Sequence, residues 1–269
     1  MPAALPTPLR ADALVAANAC EGGANHRLRL RVPGWPGFLP GQFAMLSPGA
    51  VGAAPRSDPL LPRPMAIYRT SGDLVEILYK RTGRGTTLLA EARPGERVRL
   101  VGPLGRPFPR PLPGERALLV GGGTGVASLY ELARTLRAAC DVAVLLGARS
   151  RGDLMGLADF AALDASVRVA TEDGSDGVRG LVTDLLEAEL ARGAPARVYA
   201  CGPTPMMRRC AELAAAGGAD ACASLENQMA CGFGVCLGCA VPVRGGGFAL
   251  VCRDGPVFAT ADVVWEGLP

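Results

Sequence analysis

Alternation is the first pattern along the chain. Within residues 26–32, Leu28, Leu30 and Val32 fall on one face and Arg27, Arg29 and Arg31 on the other, as a half-buried strand requires. Residues 97–100 repeat the alternation, and stretches at 14–19, 42–46, 63–68 and 74–80, punctuated by proline and glycine, bring the count to six short strands. That composition predicts a small closed β-barrel over residues 10–108, with one helix at 86–92. Three prolines and a glycine within 109–114 then mark a linker. After it the texture changes. An apolar strand at 115–120 runs into a glycine loop and a helix at 127–139, and apolar strands at 142–147, 167–170 and 197–201 follow, separated by helical stretches such as 181–191. The β-α-β order predicts an α/β parallel-sheet domain over 115–218 with helices on both faces. A small cysteine-rich C-terminal domain over 221–263 follows, with a strand pair at 240–244 and 248–252.

Composition narrows the function. A length of 269 residues accommodates two ordinary domains and a small appendage. A net charge of +3 with 20% charged residues, evenly spread, is too mild for a nucleic-acid surface or a polybasic membrane patch, so neither partner is expected. Residues 1–10 lack a basic segment followed by an apolar run, so they read as a loose tail and not a signal peptide. No stretch reaches the roughly 18 apolar residues that span a bilayer, and a cytoplasmic protein is expected. The single histidine, His26, rules out a multi-histidine metal site and weighs against a Ser-His-Asp or Cys-His nucleophile; it is expected to be exposed. The chemistry must then come from cofactors.

Nine cysteines supply one candidate. Cys231, Cys236 and Cys239 follow a C-x4-C-x2-C spacing with Cys252 as a fourth, the order of plant-type [2Fe-2S] sites. Gly232, Gly234 and Gly238 let backbone N–H groups approach the sulfurs. Zinc also accepts four thiolates and remains the alternative, although its structural sites are usually built from two short knuckles and only Cys236 and Cys239 form one here. An odd cysteine total and no secretion signal weigh against disulfides. Cys20, Cys140, Cys210 and Cys222 read as packing residues.

Three further stretches carry candidate chemistry. Arg63-Pro64-Met65-Ala66-Ile67 offers an arginine for a diphosphate on a strand that can lie along a flat ring. Gly83-Arg84-Gly85-Thr86-Thr87 is a loop running into a helix, which suits a phosphate and equally suits an ordinary turn or cap. Gly121, Gly122, Gly123, Thr124 and Gly125 lie between a strand and a helix, a nucleotide-binding beginning, but Val126 holds the last glycine position of a strict G-x-G-x-x-G. No acidic residue follows the second strand; Arg149, Ser150 and Arg151 stand there instead, either facing a 2′-phosphate or forming a solvated loop, and the choice between NADH and NADPH stays open. Cys201-Gly202-Pro203 ends a later strand at the carboxyl edge, where ligands of such sheets bind.

Taken together, these motifs resemble the ferredoxin-reductase family: an R-P-x-[ST] flavin strand, a G-x-G-T loop, a G-P-x-G-x-x-F segment at 102–108, the glycine loop and C-G-P. The block from Leu225, Glu226 and Asn227 through Cys239, with Val251-Cys252-Arg253-Asp254-Gly255-Pro256, is similar to one branch, the electron-transfer subunits of dihydroorotate dehydrogenase type B. The resemblance implies an FAD-binding barrel, an NAD(P)-binding α/β domain and a C-terminal [2Fe-2S] domain, with NAD(H) as substrate. By position it assigns Arg63, Pro64, Met65, Ala66, Leu78, Tyr79, Lys80, Gly85 and Thr86 to the flavin. Gly121, Gly122, Gly123, Thr124, Gly125, Cys201 and Gly202 fall to the pyridine nucleotide, with Ala66 and Cys201 at catalytic positions and Cys231, Cys236, Cys239 and Cys252 on the cluster. Ala66 replaces the family's Ser or Thr, leaving only its backbone N–H to serve the flavin. The implied role is electron transfer between NAD and an FMN-containing, dihydroorotate-oxidising catalytic subunit in pyrimidine biosynthesis, in a heterotetramer of two of each; alone, the chain would be a diaphorase. An NAD(P)H reductase feeding a ferredoxin, hydrogenase or oxygenase, and a non-enzymatic metal-binding scaffold, are the alternatives.

Overall fold

Seven antiparallel strands come first: β1 (Leu9–Gly22), β2 (Asn25–Arg31), β3 (Phe43–Leu46), β4 (Arg63–Ala66), β5 (Arg69–Ser71), β6 (Leu74–Lys80) and β7 (Arg97–Leu104), with helix α1 (Arg84–Ala90) between the last two. They are seen in a computed structural model that describes residues 4–47 and 59–268. Their order is β4-β3-β7-β1-β2-β6-β5. Leu28, Leu30, Val75, Ile77, Val98 and Leu100 are fully buried between them, as the alternation predicts, and each such side chain contributes about 1.5–3 kcal/mol. The segment read as a tail is partly strand, since Arg10 pairs with Val101 in β1 and β7; its first three residues lie outside the described residues.

The expected closed barrel is open along one seam. β4 pairs only with β3 and β5 only with β6, so β4 and β6 face each other without a hydrogen-bonded ladder. Two features of the sequence produce the gap. Pro64 has no N–H to donate, which suits an edge position. Beyond β4 the chain then turns away: Ile67 N–H bonds to Gln42 O at 3.3 Å and Tyr68 N–H to Glu76 O at 2.9 Å, delivering β5 to the far side of β6.

The second half is an α/β layer structure. Strands β8 (Arg116–Gly122), β9 (Val142–Ala148), β10 (Ser166–Thr171), β11 (Val178–Arg179), β12 (Ala196–Cys201) and β13 (Asp220–Ser224) are parallel, in the order β11-β10-β9-β8-β12-β13. Helices α2 (Tyr130–Leu136) and α3 (Leu157–Ala161) cover one face, where Ala117 and Leu119 pack with Leu132 and Phe160. On the other face, α4 (Val182–Leu190) and α5 (Thr204–Ala216) meet Leu118 and Val120 through Leu185 and Met207. α5 is not among the predicted elements, although its buried Met207, Cys210, Leu213 and Ala214 keep a helical period. The helix expected at 127–139 is shorter: a 3-10 stretch, Gly123–Ser128, precedes α2, because the chain turns tightly through Gly123 at φ +54°.

Beyond β13 the cysteine-rich segment forms the pair β14 (Ala240–Pro242) and β15 (Phe248–Leu250), then returns β16 (Val257–Ala259) antiparallel to β13 as the last strand of the second sheet. Cys239, Val241, Leu250 and Cys252 share one core with Leu118 and Val198. Where barrel and α/β layer meet, Asp159 accepts from Arg27 at 2.6 Å, Tyr68 at 2.9 Å and Arg69 at 3.0 Å, and Lys80 pairs with Asp153 at 2.5 Å. His26 is half-buried rather than exposed, stacked on Tyr79 with ring centroids 5.4 Å apart. Cys20, read as a packing residue, is exposed, whereas Cys210 and Cys222 are buried. Among the described residues no helix is long and apolar enough to cross a membrane.

Candidate functional site

The open seam of the barrel is a cleft of about 370 Å³. One wall is β4, through Pro64, Met65 and Ala66; the other is β6, through Leu78, Tyr79 and Lys80, with Thr86 of α1 beyond. Those seven residues include every position that the resemblance assigns to the flavin except Arg63 and Gly85, and these two stand against each other. A Cβ added at Gly85 would come within 2.7 Å of Arg63 Nε. The Arg63 guanidinium donates to Leu61 O at 2.8 Å, a contact that a bound phosphate would exceed in strength. An apolar cleft of this size, with a few polar groups at its margins, suits a flat cofactor. Tyr79 is fixed in its wall by a hydrogen bond from its hydroxyl to Asn18 Oδ1 at 3.3 Å, and burial pushes its pKa up to about 12, so it stays neutral.

The carboxyl edge of the parallel sheet closes the cleft. Gly121 lies in register with Cys201 across β8 and β12, and the glycine turn packs directly on the Cys201–Gly202 backbone: a Cβ at Gly125 would sit 2.2 Å from Cys201 O. Only glycine fits there. The turn thereby presents Thr124 to the cleft beside Cys201, and of the residues expected at the nucleotide these two join the flavin strands around one space, whereas Gly121, Gly122, Gly123, Gly125 and Gly202 do not line it. Cys201 is buried, its Sγ–H donating to Ser128 Oγ at 3.5 Å, and burial pushes its thiol up to about 12. The thiol is therefore neutral, without the thiolate a nucleophile needs.

Ser128, Ser224, Glu226 and Asn227 also line the cleft and are not among the predicted site residues. Glu226 is solvent-accessible through the cleft mouth, yet protein surrounds enough of it that desolvation raises its carboxyl pKa. Its only sequence signal is its place in the block shared with the electron-transfer branch; Ser128 has none, since it lies three residues beyond the glycine run in a stretch that reads as helix. Arg149, Ser150 and Arg151 stand away from the cleft, just past the carboxyl end of β9.

Two residues beyond Met229, which lines the cleft, the cysteine loop begins. Gly232, at φ +84°, turns it against Met45 and Leu104 of the barrel. The four cysteines gather as two pairs. Cys236 N–H donates to Cys231 Sγ at 3.5 Å; Cys239 Sγ and Cys252 Sγ are 3.2 Å apart, with Cys252 N–H donating to Cys239 Sγ at 3.5 Å. Among the described residues no three His, Cys, Asp or Glu side chains are grouped as a single metal ion would need. Two thiolates for each of two irons fit this division better than one tetrahedral zinc. Burial raises the Cys231 pKa, but N–H donors of Cys236, Phe233 and Val235 outweigh it and bring the thiol down to about 6, so the loop is built for a thiolate. Cys252, buried beside Cys239, is pushed up to about 12, and a metal must displace its proton.

Comparison with known proteins bears on both halves. Residues 226–264 match the family described as iron-sulfur cluster binding domain of dihydroorotate dehydrogenase B, and residues 119–212 match the oxidoreductase NAD-binding domain. The dihydroorotate dehydrogenase B (NAD(+)) electron transfer subunit of Desulforamulus reducens is 38% identical over 85% of this chain and 87% of its own length. That of Bacillus caldolyticus is 41% identical over 84% and 86%. Among solved structures, one of an NADH-dependent reduced ferredoxin-NADP oxidoreductase, described for flavin-based electron bifurcation, superposes with a TM-score of 0.83 at 28% identity, covering 96% of this chain and 91% of that one. An antiparallel half-barrel, a parallel sheet with a glycine turn and a four-cysteine loop, shared over most of the sequence, lead to one conclusion: the chain belongs to the family of dihydroorotate dehydrogenase B electron transfer subunits.

Proposed function

We propose that this chain is the electron-transfer subunit of an NAD-linked dihydroorotate dehydrogenase, holding FAD in the seam between β4 and β6, NAD(H) on the glycine turn and a [2Fe-2S] cluster on Cys231, Cys236, Cys239 and Cys252. The observation that carries the reading is convergence: flavin strand, glycine turn and the segment leading to the cluster loop all reach one cleft. When bound, FAD supplies exchange of an electron pair with nicotinamide and of single electrons with a one-electron carrier such as the cluster.

The chain's own residues bind and orient. Arg63, freed from Leu61 O, meets the diphosphate, while the backbone of Met65 and Ala66 lies along the ring; Ala66, lacking a hydroxyl, offers only its N–H. Ser128 and Cys201 form a neutral, desolvated wall on the nucleotide side, and Gly125 allows the turn to approach Cys201 closely enough to bring Thr124 to the same space. At the far end, N–H groups around Cys231 hold its sulfur as thiolate. The partner in this reading is an FMN-containing catalytic subunit that oxidises dihydroorotate, two copies of each assembling. Nine cysteines, all free, suit the cytoplasm, which keeps thiols reduced.

The test is anaerobic purification followed by cofactor analysis and reduction assays. Expected are one FAD, two irons and two acid-labile sulfides per chain, bleaching of the flavin by NADH, and no bleaching by dihydroorotate until the catalytic subunit is added. A colourless protein, or zinc in place of iron, would overturn the cofactor assignment. Bleaching by dihydroorotate without the partner would overturn the division of labour.

A further inference from the structure

Directly after Cys252 stand Arg253 and Asp254, and neither lines the cleft. The stem of Arg253 lies along the cysteine loop at Gly234, where an added Cβ would come within 2.9 Å of its Cδ and 3.2 Å of its Cβ. Burial raises the Cys252 thiol pKa, and the N–H of the same Gly234, donating to Cys252 Sγ, opposes that rise. The arginine therefore packs on the residue that serves the sulfur.

Its head is fixed as well. Arg253 Nε donates to Asp254 Oδ1 at 3.0 Å and Nη2 to Oδ2 at 3.2 Å, a two-pronged contact. The carboxylate in turn accepts from Leu250 N–H, at the end of β15, at 2.8 Å. It is held below the usual carboxylate range first by Arg253, then by the Leu250 N–H, and in smaller part by Arg106. Arg106 is kept beside this turn by its own N–H, which donates to Gly255 O at 2.6 Å. Two cations around one carboxylate leave this rim positive. That charge reaches the sulfurs: the Arg253 pKa is raised first by Asp254 and in smaller part by the charges of Cys252 and Cys239.

The Arg253 side chain is 59% exposed, and an ion pair in such a position contributes little to folding. Anchoring at both stem and head is better explained by what the charge does. Four thiolates make the cluster site anionic, and when the cluster takes one electron from reduced flavin, with no bond made or broken, its negative charge rises by one. A cation held beside the sulfurs favours the reduced form, by an amount that intervening water weakens without abolishing.

We propose that Arg253, held over Gly234 by Asp254, is a positioning residue for electron transfer, its guanidinium raising the reduction potential of the cluster on Cys231, Cys236, Cys239 and Cys252. This rests on the reading of those cysteines as a [2Fe-2S] site.

The experiment takes the full chain, purified anaerobically, as wild type, Arg253→Gln and Arg253→Lys. Each is titrated reductively with the cluster followed by electron paramagnetic resonance, and its iron and sulfide are counted. Arg253→Gln keeps a stem on Gly234 and removes the charge. Its cluster midpoint should fall by about 59 mV, the equivalent of a tenfold change in a one-electron equilibrium, with iron, sulfide and the flavin midpoint as in wild type. Arg253→Lys, which returns a cation without the fork, should recover most of the fall. The gap between wild type and Arg253→Gln should also shrink on going from about 0.1 M to about 1 M salt, as the screening length drops from roughly 10 Å to 3 Å. A merely structural role would move neither of these last two readouts. An unchanged midpoint in Arg253→Gln, an equal fall in Arg253→Lys, or a gap indifferent to salt would each overturn the proposal. Loss of iron from Arg253→Gln would overturn it too, since the residue would then serve assembly and not potential. A wild type without a [2Fe-2S] cluster would mean that the cluster reading itself has failed, a result distinct from all of these.

Discussion

Arg63 and Gly85 illustrate how single residues make the cleft usable. The guanidinium rests where any side chain at position 85 would stand, and it donates to the backbone carbonyls of Leu61 and, at 3.5 Å, Pro62. A charge-assisted hydrogen bond contributes roughly 1.5–3 kcal/mol, so Arg63→Ala should weaken FAD binding by about ten- to a hundredfold. Flavin fluorescence titration of the apoprotein reads this directly, and unchanged affinity would remove Arg63 from the site. The sequence singles out this residue because an arginine before proline on a strand is followed some twenty positions later by a glycine loop, a pairing that suits a phosphate, and the fold brings the two together. Ser128 and Glu226 were not legible in this way. A serine inside a helix-like run and a glutamate after an apolar strand become cleft residues only once β8 and β13 bring their carboxyl ends to the barrel's seam.

Between elements, a polar joint forms at Asp159 of α3, which accepts from Arg27, Tyr68 and Arg69 of the barrel. Burial alone would raise its pKa, but its hydrogen bonds to Arg27 and Tyr68 and the two arginine charges outweigh that and hold it below the usual carboxylate value. A depressed folded-state pKa means stabilisation that is fully present above the unfolded value near 4 and is lost as the pH falls through the folded one. Asp159→Asn should therefore lower the urea midpoint at neutral pH, by an amount equivalent to about 1–3 kcal/mol, and the gap to wild type should narrow steadily below about pH 4. A gap independent of pH would mean that shape rather than charge matters at this joint. The same region shows where sequence reading stops. Alternation and apolar runs locate β2, β6, β8 and β9 because each strand's burial is set by its own period. β5, α3 and β16 have only three to five residues each and exist through what they pair with or pack against, a tertiary fact that no local period encodes. The open seam is of the same kind: Pro64 hints at an edge, but only the path of Ile67 and Tyr68 decides that the barrel does not close.

For the whole molecule the question is where a partner meets it. Around the cysteine loop, Phe233, Val235 and Leu237 are 55%, 73% and 62% exposed, three of the largest apolar exposures among the described residues, all within six residues of Cys231. Leu237 also holds φ +59°, a conformation costly for a branched side chain, and it does so between Cys236 and Cys239. An apolar group kept in water at the cost of backbone strain, next to thiolates that must exchange electrons with another subunit, fits a surface that is covered in the assembly. Val235 is the most exposed of the three and makes no cysteine ligand, so it isolates docking from cluster binding. Val235→Asp, which would bury a charge at such an interface, should weaken association with the catalytic subunit at least tenfold, since central interface residues commonly contribute more than about 1–2 kcal/mol. Asp keeps the backbone N–H that position 235 turns toward Cys231 Sγ, so iron content and NADH-dependent dye reduction by the chain alone should both match wild type. Analytical ultracentrifugation of the mixed subunits, with dihydroorotate-dependent NAD reduction as the second measurement, provides the check. Full assembly and full coupled activity in Val235→Asp would place the partner on another face, and the exposed apolar loop would then need a different occupant.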